Sequence, residues 1–365
     1  MCVGDLEGRL HTLLRLLYDE RLVVFENATI KWIGDATTYV VQVGDEVDAS
    51  RWKNIQHTDL MVPLFMDFLQ RISDGKVIPI VGNHELLNVD ASKNKYVHNN
   101  NALFFENSGI ISEGKRKRTE LFQRHNIMGK ILRRRNFMCY FKPRAFFAHA
   151  GCRSVNVKGR DPSQVVQRIN ALDMFRPDAQ KKDDELNDFL WHRDFQQDDY
   201  DDENYVYRYP HEETFVNDGL RANLPFFDAD PDDRVDVHVI GHNKIYEEDD
   251  ELYAFWFVPF DDKQAAQPQR WKYKEVGHSP IETTRDEGVV FISADNMHEY
   301  KVNSSNNEKM ENFFVVDLII NGPTGTKTID VLDVSLTDDD DVDTAAIDEM
   351  FRLVTDEFRS VFQNV

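Results

Sequence analysis

The sequence predicts an α/β fold, and three observations carry the prediction. Short apolar, β-rich runs alternate with stretches of helical periodicity through the first quarter of the chain. Each of those runs stops at a glycine followed by polar side chains. The 365 residues, 41% hydrophobic and 12% aromatic, are enough to bury a substantial core. The clearest instance is Val77-Ile78-Pro79-Ile80-Val81, which ends in Gly82-Asn83-His84-Glu85. In open α/β sheets ligands sit beyond the carboxyl ends of the strands, so an amide, an imidazole and a carboxylate there stand where chemistry happens. The plainer alternative is a polar strand-to-helix turn with Asn83 as a helix cap.

Taken in order, the chain opens on Met1-Cys2-Val3, a strand of stub length. We expect the natural protein to extend further upstream, or this strand to be a stub. Gly4-Asp5-Leu6-Glu7-Gly8 is its polar end, and Leu10, Leu13, Leu14, Leu16 and Leu17 mark one face of an amphipathic helix. A second copy follows: a strand over 38–43, then Gly44-Asp45-Glu46-Val47-Asp48, then helical periodicity over 59–72 leading to the strand that ends at Gly82. Two strands broken at Lys142-Pro143 are expected within 136–148, ending in His149-Ala150-Gly151. A helix is expected over 163–172, and a strand over 235–240 closes in Gly241-His242-Asn243. Apolar runs at 252–260 and 289–292 precede a hairpin-like pair at 313–320 and 326–334. A C-terminal helix is expected over 344–362, with the Asp338 to Asp341 run read as its cap, since acids at a helix start suit its dipole.

Charge excludes some functions. Lys plus Arg number 43 against 65 Asp plus Glu, a net charge of −22. That argues against sequence-independent binding of nucleic acid or of an anionic membrane. The cysteines (Cys2, Cys139, Cys152) are too few and scattered for a disulfide framework, and no apolar run approaches a membrane span or a secretory core. An intracellular, cytoplasmic location is the default. The clusters Lys115-Arg116-Lys117-Arg118 and Arg133-Arg134-Arg135 allow a nuclear one, although their favoured reading is a solvated face balancing nearby acids. The acidic stretch 181–202 reads as a loop, except for the island Leu190-Trp191-His192-Arg193-Asp194, which solvation does not explain.

Asp5, Asp45, Asn83, His149 and His242 all terminate predicted strands. Carboxylate and amide oxygens combined with imidazole nitrogens suit Mn, Fe or Zn better than calcium. Two such ions about 3.5–4 Å apart can activate a water and clamp a phosphoryl oxygen.

On these residues the chain resembles the calcineurin-like metallophosphoesterases, within the phosphoprotein phosphatase family. That family's marks are Gly-Asp-x-His-Gly, Gly-Asp-x-x-Asp-Arg-Gly, Gly-Asn-His-Glu, a strand-end His and a late Gly-His; all five stand here in order, the first two imperfectly. More narrowly, residues 32–52 and Gly82-Asn83-His84-Glu85-Leu86-Leu87-Asn88-Val89, with Tyr96-Val97, are similar to the Shewanella-like branch and its relatives in bacteria and large DNA viruses. The resemblance covers roughly residues 3–300. It implies a metallophosphoesterase domain over 1–300, a β-sandwich flanked by helices, with a hairpin and helix over 301–365 as a C-terminal elaboration.

The resemblance also implies two divalent metal ions, manganese first, with iron, zinc or magnesium as alternatives. Asp5 would hold the first metal, Asp45 would bridge, and Asn83, His149 and His242 would hold the second. His84 would be the general acid, oriented by Asp48, and Arg193 would bind phosphate. Two departures matter. Glu7 stands where the family has histidine, adding a negative charge and an oxygen to the first metal. Ala49-Ser50 replaces the Arg-Gly after Asp48, leaving Arg51 as a less well placed substitute contact. The implied function is a serine/threonine phosphatase acting on phosphorylated protein. The alternatives are a pseudophosphatase kept as a binding or assembly module, and a dinucleoside polyphosphate hydrolase.

Overall fold

The structure, a computed structural model, describes residues 1–27, 29–48, 60–89, 114–142, 145–151, 160–177, 179, 184–191, 235–241, 246–248, 251–259, 269–272, 281–283, 288–294, 312–319, 327–335, 352, 354 and 356. These form helices and two large mixed sheets, an α/β arrangement. In the first sheet β1 (Cys2–Val3), β4 (Val40–Gln42) and β5 (Val77–Pro79) run parallel as neighbours. On the far side of β1 lies β14 (Asn312–Ile319), antiparallel, with Cys2 opposite Val316. β15 (Lys327–Ser335) and β12 (Ile281–Thr283) continue outward. The hairpin read from the sequence therefore forms, and its first strand supplies the sheet neighbour of β1.

The second sheet runs β11 (Gln269–Lys272), β10 (Glu251–Pro259), β13 (Gly288–Ser293), β8 (Val237–Ile240), β7 (Ala145–Ala148), β6 (Met138–Phe141), with β9 (Tyr246–Glu248) also on β10. Here β7, β8 and β13 are the parallel members. Strands β1, β4, β7 and β8 are buried at every position. Burial on both faces is the usual condition of parallel strands and explains their near-continuous apolar runs. The exception in β4 is Gln42, whose side chain stays buried by giving Nε2 to the carbonyls of Gly4 and Gly44 and accepting from the Gly44 amide.

The helices follow the expected periodicity. In α1 (Leu10–Asp19) all five leucines are buried; its preceding residue, Arg9, provides no side-chain cap, so apolar burial holds the helix. Next come α2 (Met61–Ile72), which packs on β5, and α3 (Asn83–Val89), which begins at the candidate site. Further on, α4 (Gly114–Phe122) and α5 (Ile127–Leu132) lead to β6. α6 (Pro162–Asn170) is capped by Asp161, which accepts from the Gln164 amide at 3.1 Å, and α7 (Glu185–Trp191) lies in the stretch read as acidic loop. Trp191 packs on Leu87 of α3, giving the aromatic island a packing role. Arg352, Val354 and Asp356 are helical, as expected, while the run 338–341 lies outside the described residues. A hairpin of β2 (Val23–Glu26) and β3 (Thr29–Trp32) was not expected. No helix among the described residues is long and apolar enough to cross a membrane.

The reading of both basic clusters as a solvated face is corrected at two positions. Arg118 is 1% and Arg135 6% exposed. Arg135 forms an ion pair with buried Glu46 and donates to the Pro63 carbonyl at 2.9 Å; Arg118 pairs with Asp48. A guanidinium enters an interior when a carboxylate and carbonyls meet it there.

Candidate metal centre

The parallel pairing of β1 with β4 sets their outgoing loops side by side. The Leu6 and Glu7 amides donate to the Asp45 carbonyl at 2.9 and 2.8 Å, and the Gly8 amide to that of Glu46 at 2.8 Å. Glu7, Asp45 and Asp48 adopt positive φ of 42°, 55° and 74°. Left-handed backbone at three acidic residues costs about 1–3 kcal/mol each, and such strain clusters at functional sites. Gly44 (φ 100°) and Gly82 make the crowding feasible: a Cβ on Gly82 would lie 2.3 Å from the Asp45 amide and carboxylate, and one on Gly44 2.5 Å from His149 Nδ1.

Glu85 fastens the β4 and β5 loops together. Its Oε2 accepts from the amides of Gly82 (2.7 Å) and Asp45 (3.0 Å), and Oε1 from those of Glu46 (2.8 Å) and Val47 (3.3 Å). Burial and then the Asp45 charge push its carboxyl up, against the Gly82 amide and the charges of Arg135 and His149.

His149, just past β7, is oriented from behind. Its Nδ1 lies 2.8 Å from the Val43 carbonyl, which only accepts, so Nδ1 carries the proton and Nε2 of the neutral ring offers a lone pair. Nε2 stands 3.5 Å from Asp45 Oδ1 and 2.7 Å from the Asn83 carboxamide. Ligand atoms of Asp5, Asp45 and His149 fall within 4.8 Å of one another, all three residues buried. Asn83 serves either way round: with Nδ2 inward it donates to both Asp45 oxygens and to His149 Nε2, and with Oδ1 inward it adds another oxygen ligand at the same point. Carboxylates, an amide oxygen and an imidazole lone pair gathered out of water are a donor set for a hard-to-borderline divalent cation. The residues present fit such an ion.

Beside this cluster stands His84 at the start of α3. Nδ1 is 2.7 Å from Asp48 Oδ2, Nε2 is 3.9 Å from Asp45 Oδ2, and the His84 amide donates to Asp45 Oδ1 at 2.9 Å. Asp48 also receives Asn88 Nδ2 on Oδ2 at 2.9 Å and Arg118 Nη2 on Oδ1 at 2.8 Å. Burial pulls the Asp48 carboxyl up, but the Arg118 charge, with His84 and Asn88, outweighs it and holds the group below the usual carboxylate range.

A buried carboxylate and histidine cluster at the ends of parallel strands, flanked by a histidine–aspartate pair, is joined by a match along the chain. The sequence profile of calcineurin-like phosphoesterases fits residues 1–322. The chain belongs to the calcineurin-like phosphoesterase family. This family hydrolyses phosphoesters with bound metal, typically in a dinuclear centre, so the chain is a phosphoesterase by family and its Asp5–Asp45–His149 cluster is the candidate metal site. The matched range takes in β14, the sheet neighbour of β1. Among curated proteins none matches the chain.

Of the site residues expected in this phosphoesterase, Asp5, Asp45, Asn83 and His149 come together with His84 and Asp48 beside them, while Glu7 adjoins them through its backbone amide on the Asp45 carbonyl; each is at most 3% exposed. His242, Arg193 and Arg51, with Ala49, lie outside the described residues. Glu7 lies in the β1–α1 loop with buried Arg9, whose guanidinium donates to the Asp5 and Leu6 carbonyls. Burial lowers Arg9 to about 10 against the opposing charges of Glu7 and Asp5. Glu85, expected among the polar residues at this strand end, fastens the loops instead, and two further residues of the site region, Asn88 and Arg118, had no role in the sequence reading. Asn88 had a signal, four residues after His84 on one helix face; Arg118 had none.

Proposed function

We propose that this phosphoesterase is a metal-dependent phosphomonoesterase of the serine/threonine protein phosphatase kind, acting on phosphorylated protein. The observation that carries the reading is the placement of His84, hydrogen-bonded through Nδ1 to Asp48 while Nε2 faces Asp45 at 3.9 Å. Asp5, Glu7, Asp45, Asn83 and His149, with His242, would hold two divalent ions, manganese first, and Asp45 would be the shared ligand. When bound, such a pair polarises the phosphoryl oxygens and lowers the pKa of the attacking water. As the imidazolium whose Nδ1–H stays on Asp48, His84 would give its Nε2 proton to the departing alkoxide and be left as the Nδ1–H tautomer, with Asp48 fixing the ring. Arg193 and Arg51 are the side chains we assign to the phosphate oxygens. The net charge of −22 disfavours strongly anionic substrates and so favours a single phosphate on a protein over a dinucleoside polyphosphate. The affinity to the Shewanella-like branch rests on its motif residues alone.

One observation favours a second reading, a catalytically impaired binding module: Glu7 brings a carboxylate where the family carries histidine. Phosphate release by the manganese-loaded chain from an aryl phosphate, a phosphoserine peptide and a dinucleoside polyphosphate separates these. Turnover of the first two is expected. Inertness towards all three with metal bound would move the assignment to the binding module, and preference for the third to a dinucleoside polyphosphate hydrolase.

A further inference from the structure

Arg118 comes from a basic cluster on α4 yet is 1% exposed and engages the histidine–aspartate pair from a position 70 residues after Asp48. A guanidinium has only donors. Its Nε donates to Asn88 Oδ1, which commits that oxygen as an acceptor and turns Nδ2 towards Asp48 Oδ2 (2.9 Å) and the His84 carbonyl (2.7 Å). Its Nη2 donates to Asp48 Oδ1 at 2.8 Å, leaving Oδ2 to Asn88 and His84. Reversing the Asn88 amide would set donor against donor at Arg118 and acceptor against acceptor at Asp48. The polarity of the network thus runs one way, from the guanidinium to a proton on His84 Nδ1. Phe122, one turn further along α4, places its ring 5.5 Å from the guanidinium carbon, a cation–π contact that helps hold the head in place.

We propose that Arg118 is a positioning residue for the hydrolysis: acting through Asp48 and Asn88, it fixes the tautomer and ring orientation of His84 so that Nε2 faces the metal cluster. It does not touch the substrate. The inference rests on His84 acting as proton donor, and one measurement is independent of that reading. The full chain with magnesium, labelled with 15N-histidine, should show His84 protonated at Nδ1. In Arg118→Met, whose side chain keeps much of the volume, the single tautomer should give way to a mixture. In the second measurement, a series of aryl phosphates of rising leaving-group pKa should lose about 10–100-fold at the poor end and much less at the activated end, the size seen when supporting hydrogen bonds are removed. Arg118→Lys should fall between wild type and Arg118→Met, and added guanidinium ion should restore Arg118→Ala on the poor leaving groups. If the Met and Ala variants fail to fold, Arg118→Lys is read by the same two criteria.

A loss equal across leaving groups, or an unchanged His84 tautomer, would overturn the proposal and leave Arg118 a structural ion pair. His84→Asn is the control. If its own loss does not depend on the leaving group, the proton-donor reading fails, and the tautomer signal still decides whether Arg118 positions His84.

Discussion

Glu85 accepts from four backbone amides, two on each oxygen, and so holds the loops that carry Asp45 and Asn83 against each other. Replacing one oxygen by an NH2 sets a donor against two donors. Glu85→Gln should therefore cost about 1–3 kcal/mol for each amide left unmet. Because the displaced loops carry candidate ligands, it should also weaken manganese binding by about 10–100-fold. Denaturant unfolding and a manganese titration check both, and a variant as stable and as tightly binding as wild type would remove the fastening role. Glu7 invites a different substitution. Imidazole in place of carboxylate takes away one negative charge and supplies a softer nitrogen, so Glu7→His should shift preference from manganese or magnesium towards zinc or iron. Competition binding followed by elemental analysis reads this directly, and an unchanged order of preference would place Glu7 outside the metal's reach.

At the scale of elements, strand β8 carries a buried histidine that the site does not use. His238 is 2% exposed, pairs across to Phe146 and Phe291, and is lowered to about 3 by burial, with a backbone hydrogen bond to Val235 acting the other way. The sign follows. Below about pH 6.5 the unfolded chain takes a proton that the folded strand refuses, so stability is full above 6.5 and falls as pH drops towards 3. The gap between wild type and His238→Phe should move by about 1.4 kcal/mol per pH unit in the variant's favour below 6.5. Unfolding at pH 7.5 and pH 5.5 tests it; a constant gap would show that the ring charges freely in the fold.

The strands that lead into the site were legible as elements because they are mostly apolar and stop abruptly at polar residues; β4, β5, β7 and β8 lie inside the expected runs. The β2–β3 hairpin was not, since its four-residue strands are too short for alternation to stand out. The inward turn of Arg118 and Arg135 was illegible for another reason. In a run of like charges nothing local marks which one points inward, and the acid that draws Arg118 in lies 70 residues away.

Across the whole molecule, the site depends on two sheets meeting at the carboxyl ends of their parallel strands. The first sheet brings Asp5, Asp45 and Asn83 after β1, β4 and β5, and the second brings His149 after β7. The join is made by the His149–Val43 hydrogen bond, by Val81 donating to the Asn136 carbonyl at 2.9 Å, and by the close approach of Gly241 to Val43 and His149. Asp45 stands where the sheets meet: its carboxylate faces His149 from one sheet, Asn83 from its own, and His84 beside them. The most direct measurement is therefore the metal content of wild type and Asp45→Asn after dialysis against manganese, with aryl phosphate hydrolysis read on the same samples. If Asp45 is the ligand two ions share, wild type should hold about two per chain, with metal and turnover lost together in the variant; stoichiometric metal and undiminished turnover in Asp45→Asn would contradict it.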